Sequence, residues 1–538
     1  MFKSKTLKAG VFSTALALVL IGCASEPEQD ATAGAEGETE IDTGTEELDV
    51  GENDLVVGVQ SDASSLDPHL TSDVPSGNIQ SNIYETLTKH NSDMELEPLL
   101  ATEWEAIEEN VWEFTLREDV YFHDGSEFNA EVVKANIERI LSDEVGSPRT
   151  ILVGIIEDVN VVDEYTVQFV TEDPFAPLPA HFAHYGISMI SGEVIEGDNE
   201  AVADGGQYGD YVNENPVGTG YFTFNTWDSG SQIVLDKNED YWGEKVSVDS
   251  VTFKVVPEDL TRVGELETGV SHIIDPVNAS DISRLEGNDR VSPYIRNAAS
   301  ISYLGFNLEK EPFDNPKVRR AIAKVIDKEA ILDGILEGTG EEAFGPINDT
   351  NFGYSENVDK IERDVDAAKD LLAEAGYEDG FEASLWTNDS RERIDIAELA
   401  QAELAQIGID VSIEVLEWGA FLDETDAGAH DMLILGLSLG TGDADYPLHM
   451  LFHSDNIGIG NSVRMADPVF DEMLYEARIE QDQDTRLALY EDITNYLIEK
   501  TPKVFLYHPS HVMGVSDQVE GFWSDASGIY QLQDVELN

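Results

Sequence analysis

The 538-residue chain predicts an α/β protein of two lobes, on three observations. The stretch 381–440 alternates strand, helix, strand, helix, strand, the pattern of a parallel sheet with right-handed crossovers. The portion able to fold, about 485 residues, exceeds the usual size of one hydrophobic core. Near residue 300 the texture also changes, from period-two hairpin patterns to long apolar-periodic helices.

The first element is not part of that body. Lys3, Lys5 and Lys8 precede an apolar stretch from Ala9 to Ile21, too short to span a bilayer, so residues 1–22 read as a signal peptide. The stretch ends Leu20-Ile21-Gly22-Cys23, similar to a bacterial lipobox, in which the cysteine is lipidated and becomes the first mature residue. Cys23 is the only cysteine, so the exported body is built without disulfides. Residues 24–54 carry twelve acids, no Lys or Arg and no aromatic residue. They cannot bury enough apolar surface to order themselves, and residues 23–54 read as an acidic tether.

Removal of residues 1–22 leaves 28 basic against 109 acidic residues, a net charge of −81. That balance excludes a nucleic-acid partner. The acids are spread through every segment, which predicts a surface adapted to high salt, where self-repulsion is screened.

Along the body, DLVVGVQ (54–60) reads as a strand, NIQSNIYETL as a helix, VWEFTLRE as a strand and NAEVVKANIERIL as a helix capped by Asn129. VNVVDEYTVQFV and GYFTFNTWDSGSQIVLDKN alternate at period two around turn residues, as hairpins do. After ISYLGFNL come one long helix, NPKVRRAIAKVIDKEAILDGIL, and a second, DVDAAKDLLAEAGY, stopped by Gly376. In the 381–440 block, FEASLWT, DVSIEVLEW and DMLILGLS are the strands; RERIDIAELAQAELAQIG and AFLDETDAG are the helices.

Ligands of parallel sheets lie just beyond the carboxyl ends of the strands. Two polar clusters fall there, NDSRER (388–393) and TGDADY (441–446), placing a cationic pair, Arg391 and Arg393, and an acidic pair, Asp443 and Asp445, on one rim. Arginines are scarce in this chain, so two at one strand end are the more informative half.

The same strand end spells G-x-S-x-G over Gly436–Gly440, the pattern of a hydrolase nucleophile elbow centred on Ser438. An elbow needs a helix to begin at once, whereas LGTGDADYP follows, with two more glycines and Pro447. A secreted serine hydrolase using Ser438, with His508 or His511 as base, is therefore the rival reading from another class. His449/His453, His181/His184 and His508/His511 are close pairs, but no H-E-x-x-H and no G-x-x-x-x-G-K occurs. Neither metal nor cofactor is expected.

Six stretches together resemble the extracytoplasmic solute-binding proteins of ABC importers, in the dipeptide/oligopeptide/nickel family (family 5). They are SLDPHL (65–70), LREDVYFHDGSEFNAEVV (116–133), PVGTGYFTF (216–224), DKNEDYWG (236–243), YLGFNLEKEPFDNPKVRRAIAKVIDKEAIL (303–332) and AKDLLAEAGY (368–377). They run in order along nearly the whole mature chain. The stretch GTGDADYPLHMLFHSDNIGIGN (440–461) looks most like glutathione and short-peptide binders.

The resemblance implies a large two-lobe periplasmic-binding-protein fold of the cluster C type, with lobe I over 55–298, a subdomain of about 88–215 inserted in it, lobe II over 299–505, and residues 506–538 returning to lobe I. It implies a monomeric lipoprotein, anchored through Cys23 on the extracytoplasmic face of the cell membrane, that captures a short peptide, closes on it by hinge motion and delivers it to permease subunits. A nickel chelate or other small solute is the alternative ligand. The family's acid for the peptide amine falls in the segment matching GDADY, at Asp443 or else Asp445, beside Tyr446. Its arginine for the carboxylate falls at Arg393 or Arg391. Many relatives carry a cleft tryptophan where this chain has Leu437.

Overall fold

The structure is a computed structural model that describes residue 51 and residues 53–538. The signal peptide, Cys23 and nearly all of the acidic tether lie outside the described residues.

The apolar run Leu55-Val56-Val57 is wholly buried, as a strand covered on both faces must be. Asp54–Val59 accordingly occupies the centre of a seven-stranded sheet, parallel to Ser250–Val255 on one side and to Ile273–Asp275 on the other. The hairpin Phe222–Asp228 and Gln232–Lys237 extends one edge; Ser510–Ser516 and Val291–Asn297 complete the other. This sheet is the heart of lobe I.

Inserted in lobe I is a four-stranded antiparallel sheet of Ala101–Glu108, Val111–Leu116, Thr166–Thr171 and Ile156–Asp163, in that spatial order. Its core stacks Phe114, Phe169 and Phe182 edge to face or tilted. The helix Ala130–Leu141 covers it, capped as expected by Asn129, whose side chain accepts from the Glu131 and Val132 amides.

Lobe II holds a six-stranded sheet ordered Glu341–Glu342, Lys503–His508, Ser300–Phe306, Met432–Ser438, Phe381–Asn388 and Ile409–Leu416. The last three are parallel, joined through the helices Arg391–Leu404 and Trp418–Asp426. The β-α-β-α-β block is therefore real, and it adds Ser300–Phe306 as an antiparallel neighbour of Met432–Ser438.

Two expectations shift. The first helix is Val74–Ile83, four residues earlier than read, because Asp73 caps it and Pro75 sits in its first turn. The long helix after residue 315 is two, Pro316–Val325 and Lys328–Gly334. Asp327 divides them: its side chain accepts from the Ala330 amide, and a capping residue is itself non-helical.

The chain crosses between lobes twice, side by side. It leaves the first sheet at Asn297 and enters the second at Ser300, then returns between His508 and Ser510. Asn297 pairs with Ser510, and His508 Nδ1 donates to the Ser300 carbonyl at 2.8 Å. Among the described residues no helix is long and apolar enough to cross a membrane.

Candidate ligand-binding cleft

Between the lobes lies a small cavity that opens to solvent. Lobe I supplies most of its wall, including Glu85, Lys89, His90, His184, Tyr185 and Asp525; lobe II supplies Gly440. A larger cavity is walled by lobe II alone, around Phe344 and Tyr354.

Gly440 belongs to the turn that follows the Met432–Ser438 strand. That turn is pinned from within lobe II: the Leu439 amide donates to Ala299, and residue 352 exchanges two backbone bonds with Gly442 and Ala444. Gly442 has φ +66°, and a Cβ there would sit 2.6 Å from His90 Nε2 of lobe I. A glycine is thus required by both conformation and close approach.

The expected acids sit just beyond this turn, and each is already held. Asp443, 3% exposed, accepts from Arg486 Nη1 at 2.6 Å and Nη2 at 2.7 Å. Burial works against the Arg486 charge, but the Asp443 carboxylate outweighs it and holds the guanidinium protonated above its ordinary range. Asp445, 1% exposed, takes Arg478 in a bidentate pair at 2.9 and 2.8 Å. Burial alone would raise Asp445; the Arg478 charge and hydrogen bonds bring it down to about 2. Both acids therefore have their cation inside lobe II.

The two arginines of the other cluster differ. Arg391 is exposed and pairs with Asp395 one turn along its helix. Arg393 is half-buried, donates to Asn388 Oδ1 at 3.0 Å and lies 5.7 Å from the Trp418 ring. Its Nη2 is 3.8 Å from where a Cβ of Gly436 would be, at the end of the central strand. Among the described residues it has no carboxylate partner. Leu437 is half-buried on that strand. Tyr446 reaches across to pack on the inserted subdomain, and burial raises its hydroxyl pKa.

The lobes touch through this region. The Ala176 amide donates to the Arg478 carbonyl at 2.9 Å, and the Arg478 guanidinium lies 5.2 Å from the Phe175 ring.

Residues that sequence reasoning passed over furnish much of the lobe I wall. Glu85 accepts from Thr219, Tyr241 and Trp242 at 2.7–2.8 Å; burial raises its pKa and these donors restrain the rise. Asp525 is raised to about 6 by burial, offset partly by the Ile529 and Ser527 amides. Burial lowers His90 to about 4, and His184 well below its ordinary value. Arg478 and Arg486 carried no local signal: Arg319, also buried in an apolar-periodic helix, is met by backbone carbonyls, so a helical arginine does not by itself announce a buried acid.

Ser438 does not form an elbow. It is the exposed last residue of its strand, opposite Ser300, and the next helix begins only at Asp445. His508 is directed at the Ser300 carbonyl. Among the described residues no cluster of three His, Cys, Asp or Glu could hold a metal ion.

Two α/β lobes joined by paired crossings around a walled cavity are the architecture of a two-lobe solute receptor. The chain belongs to the family described as "Bacterial extracellular solute-binding proteins, family 5 Middle", whose model matches residues 95–458. It is 28% identical over 494 residues to the glutathione-binding protein GsiB of Pectobacterium atrosepticum, covering 90% of this chain and 94% of that one. The fold matches HbpA2 of Haemophilus parasuis with TM-score 0.81 at 29% identity, covering 90% of this chain and all of that one. It also matches the binding protein DppA of Helicobacter pylori, solved in complex with the peptide STSA, with TM-score 0.77 at 32% identity, over 90% and 98% of the two chains. The chain is thus an extracytoplasmic solute-binding component of transport systems.

Proposed function

We propose that this protein captures short peptides, glutathione among them, in the interlobe cavity and delivers them to the permease of an ABC importer. The observation that carries the reading is a cavity walled by both lobes and furnished with donors and acceptors. Relatives whose names state glutathione and peptide ligands support it. Arg393, beside the end of the Met432–Ser438 strand and outside the cavity's own lining, is the lobe II cation offered to a ligand carboxylate, and Leu437 stands on the same strand. Asp443 and Asp445, each bound to an arginine, hold the turn at 439–446 in place and do not contact the amine; Arg391 stays in solvent. The lipid on Cys23 and the acidic tether keep the receptor at the membrane, and the acidic surface suits it to salt.

Titration calorimetry of the mature body with di-, tri- and tetrapeptides and with glutathione tests the reading. One-to-one binding with the ligand recovered intact is expected. No heat from any of them, or hydrolysis products by mass spectrometry, rejects it.

A further inference from the structure

Five arginines are buried among the described residues: Arg139, Arg149, Arg262, Arg319 and Arg486. Four of them place the guanidinium on protein oxygen. Arg139 meets Asp67 and Asp198, and Arg486 meets Asp443. Arg262 and Arg319 are ringed by backbone carbonyls, with Asp259 added for Arg262. Arg149 is the exception. It is 6% exposed, and its buried Nε and Nη2 have no hydrogen-bond partner. A buried cation without a counter-charge is costly in any protein. In a chain with 109 acids and 31 bases, a protein carboxylate would be easy to supply, so its absence is informative.

The place is equally specific. The guanidinium carbon lies 4.8 Å from the Tyr185 ring centre, and Tyr185 and His184 wall the interlobe cavity. A Cβ on Gly186 would collide with Arg149 Nε, so the glycine makes the room. The Gly186 amide donates to His184 Nδ1 at 3.0 Å. A neutral imidazole then carries its proton on Nε2, and Nε2 lies 3.2 Å from the Cβ position of Gly440 across the cleft. The charge of Arg149 reaches His184, where after burial it is the next cause of the lowered pKa, and also Tyr446 of lobe II.

We propose that Arg149, stacked on Tyr185 behind the lobe I wall of the cleft, forms with the His184 Nε2–H of that wall a carboxylate subsite, which completes its hydrogen bonds when a ligand carboxylate enters. It rests on the cleft being the ligand site, and adds that the ligand is acidic on the side facing the inserted subdomain. The carboxylate comes from an acidic side chain or from the peptide's C-terminus; both present the same two-oxygen acceptor to an arginine fork.

The test uses the mature body as wild type, Arg149→Met and Arg149→Lys. Trifluoroacetate, the smallest carboxylate probe, is followed by fluorine NMR; its line should broaden with wild type, less with Arg149→Lys and not with Arg149→Met. Equal broadening by wild type and Arg149→Met overturns the proposal. Loss of a partnerless buried charge should leave the fold intact; should Arg149→Met fail to fold, a trifluoroacetate line as broad with Arg149→Lys as with wild type overturns it instead. The peptides Ala-Glu-Ala, Ala-Gln-Ala and the C-terminal amide of Ala-Gln-Ala then separate the two sources. A preference of about 10–100-fold for Glu over Gln, or for free terminus over amide, present in wild type and absent in Arg149→Met, identifies the carboxylate. Affinities within threefold across all three peptides in wild type overturn the proposal while leaving peptide capture standing. Trifluoroacetate broadening specific to wild type, with no peptide bound, supports the subsite and rejects the peptide reading.

Discussion

At the scale of single residues, Asp443 separates a ligand contact from a structural anchor. Its replacement by Ala strands the Arg486 guanidinium in a site where its side chain is 7% exposed. A loss of about 3–5 kcal/mol of unfolding free energy is expected, read by urea denaturation, with much of it recovered in Asp443→Ala/Arg486→Met. An acid that only met ligand would leave the unfolding midpoint unchanged. Asp445 makes a complementary prediction in pH. Its folded pKa of about 2 lies below the ordinary 3.8, so its contribution, about 2 kcal/mol, is fully present above about pH 4. It is lost as pH falls from there through about 2. Melting curves of wild type and Asp445→Asn should therefore converge at pH 2 and diverge by pH 5. Neither acid's partner was legible in the sequence. GDADY marks the turn correctly, but Arg478 and Arg486 stand 33 and 43 residues downstream on other helices. Such pairing is decided by packing and leaves no local pattern. Arg149 was invisible for the same reason, since what distinguishes it is a missing neighbour.

Elements were far more readable, because period and caps are local. Asn129 shows how local: its side chain satisfies two amides of the Ala130–Leu141 helix, so Asn129→Ala should cost about 1 kcal/mol, measured as a lower unfolding midpoint with the far-ultraviolet spectrum unchanged. The three parallel strands of 381–440 followed from alternation of periods. What alternation could not supply is the order of the lobe II sheet, in which Ser300–Phe306 lies between Lys503–His508 and Met432–Ser438. Those strands are far apart along the chain, and their pairing depends on which buried faces meet. The split at Asp327 was readable in principle, since Ile-Asp-Lys-Glu-Ala carries an acid able to cap; apolar periodicity running through it concealed the break.

Across the whole molecule, charge governs how the fold responds to its solvent. A net charge of −78 on the chain places carboxylates close together, and screening relieves their repulsion. The melting temperature should rise steadily from dilute buffer to molar sodium chloride; a flat response removes the salt-adaptation reading. The paired crossings at residues 297–300 and 508–510 have a mechanical consequence as well. Both described ends of the folded body, Asp54–Val59 and Glu536–Leu537, belong to lobe I, with Glu536–Leu537 pairing to Val519–Glu520 beside it. A force applied between the termini therefore runs through lobe I alone. Lobe II hangs from two points joined by a hydrogen bond of 2.8 Å between His508 and Ser300, and carries no load while that bond and its neighbours last. In an optical trap lobe I should yield first. Lobe II should then release about 210 residues in a separate, later step, up to roughly 700 Å of extended chain.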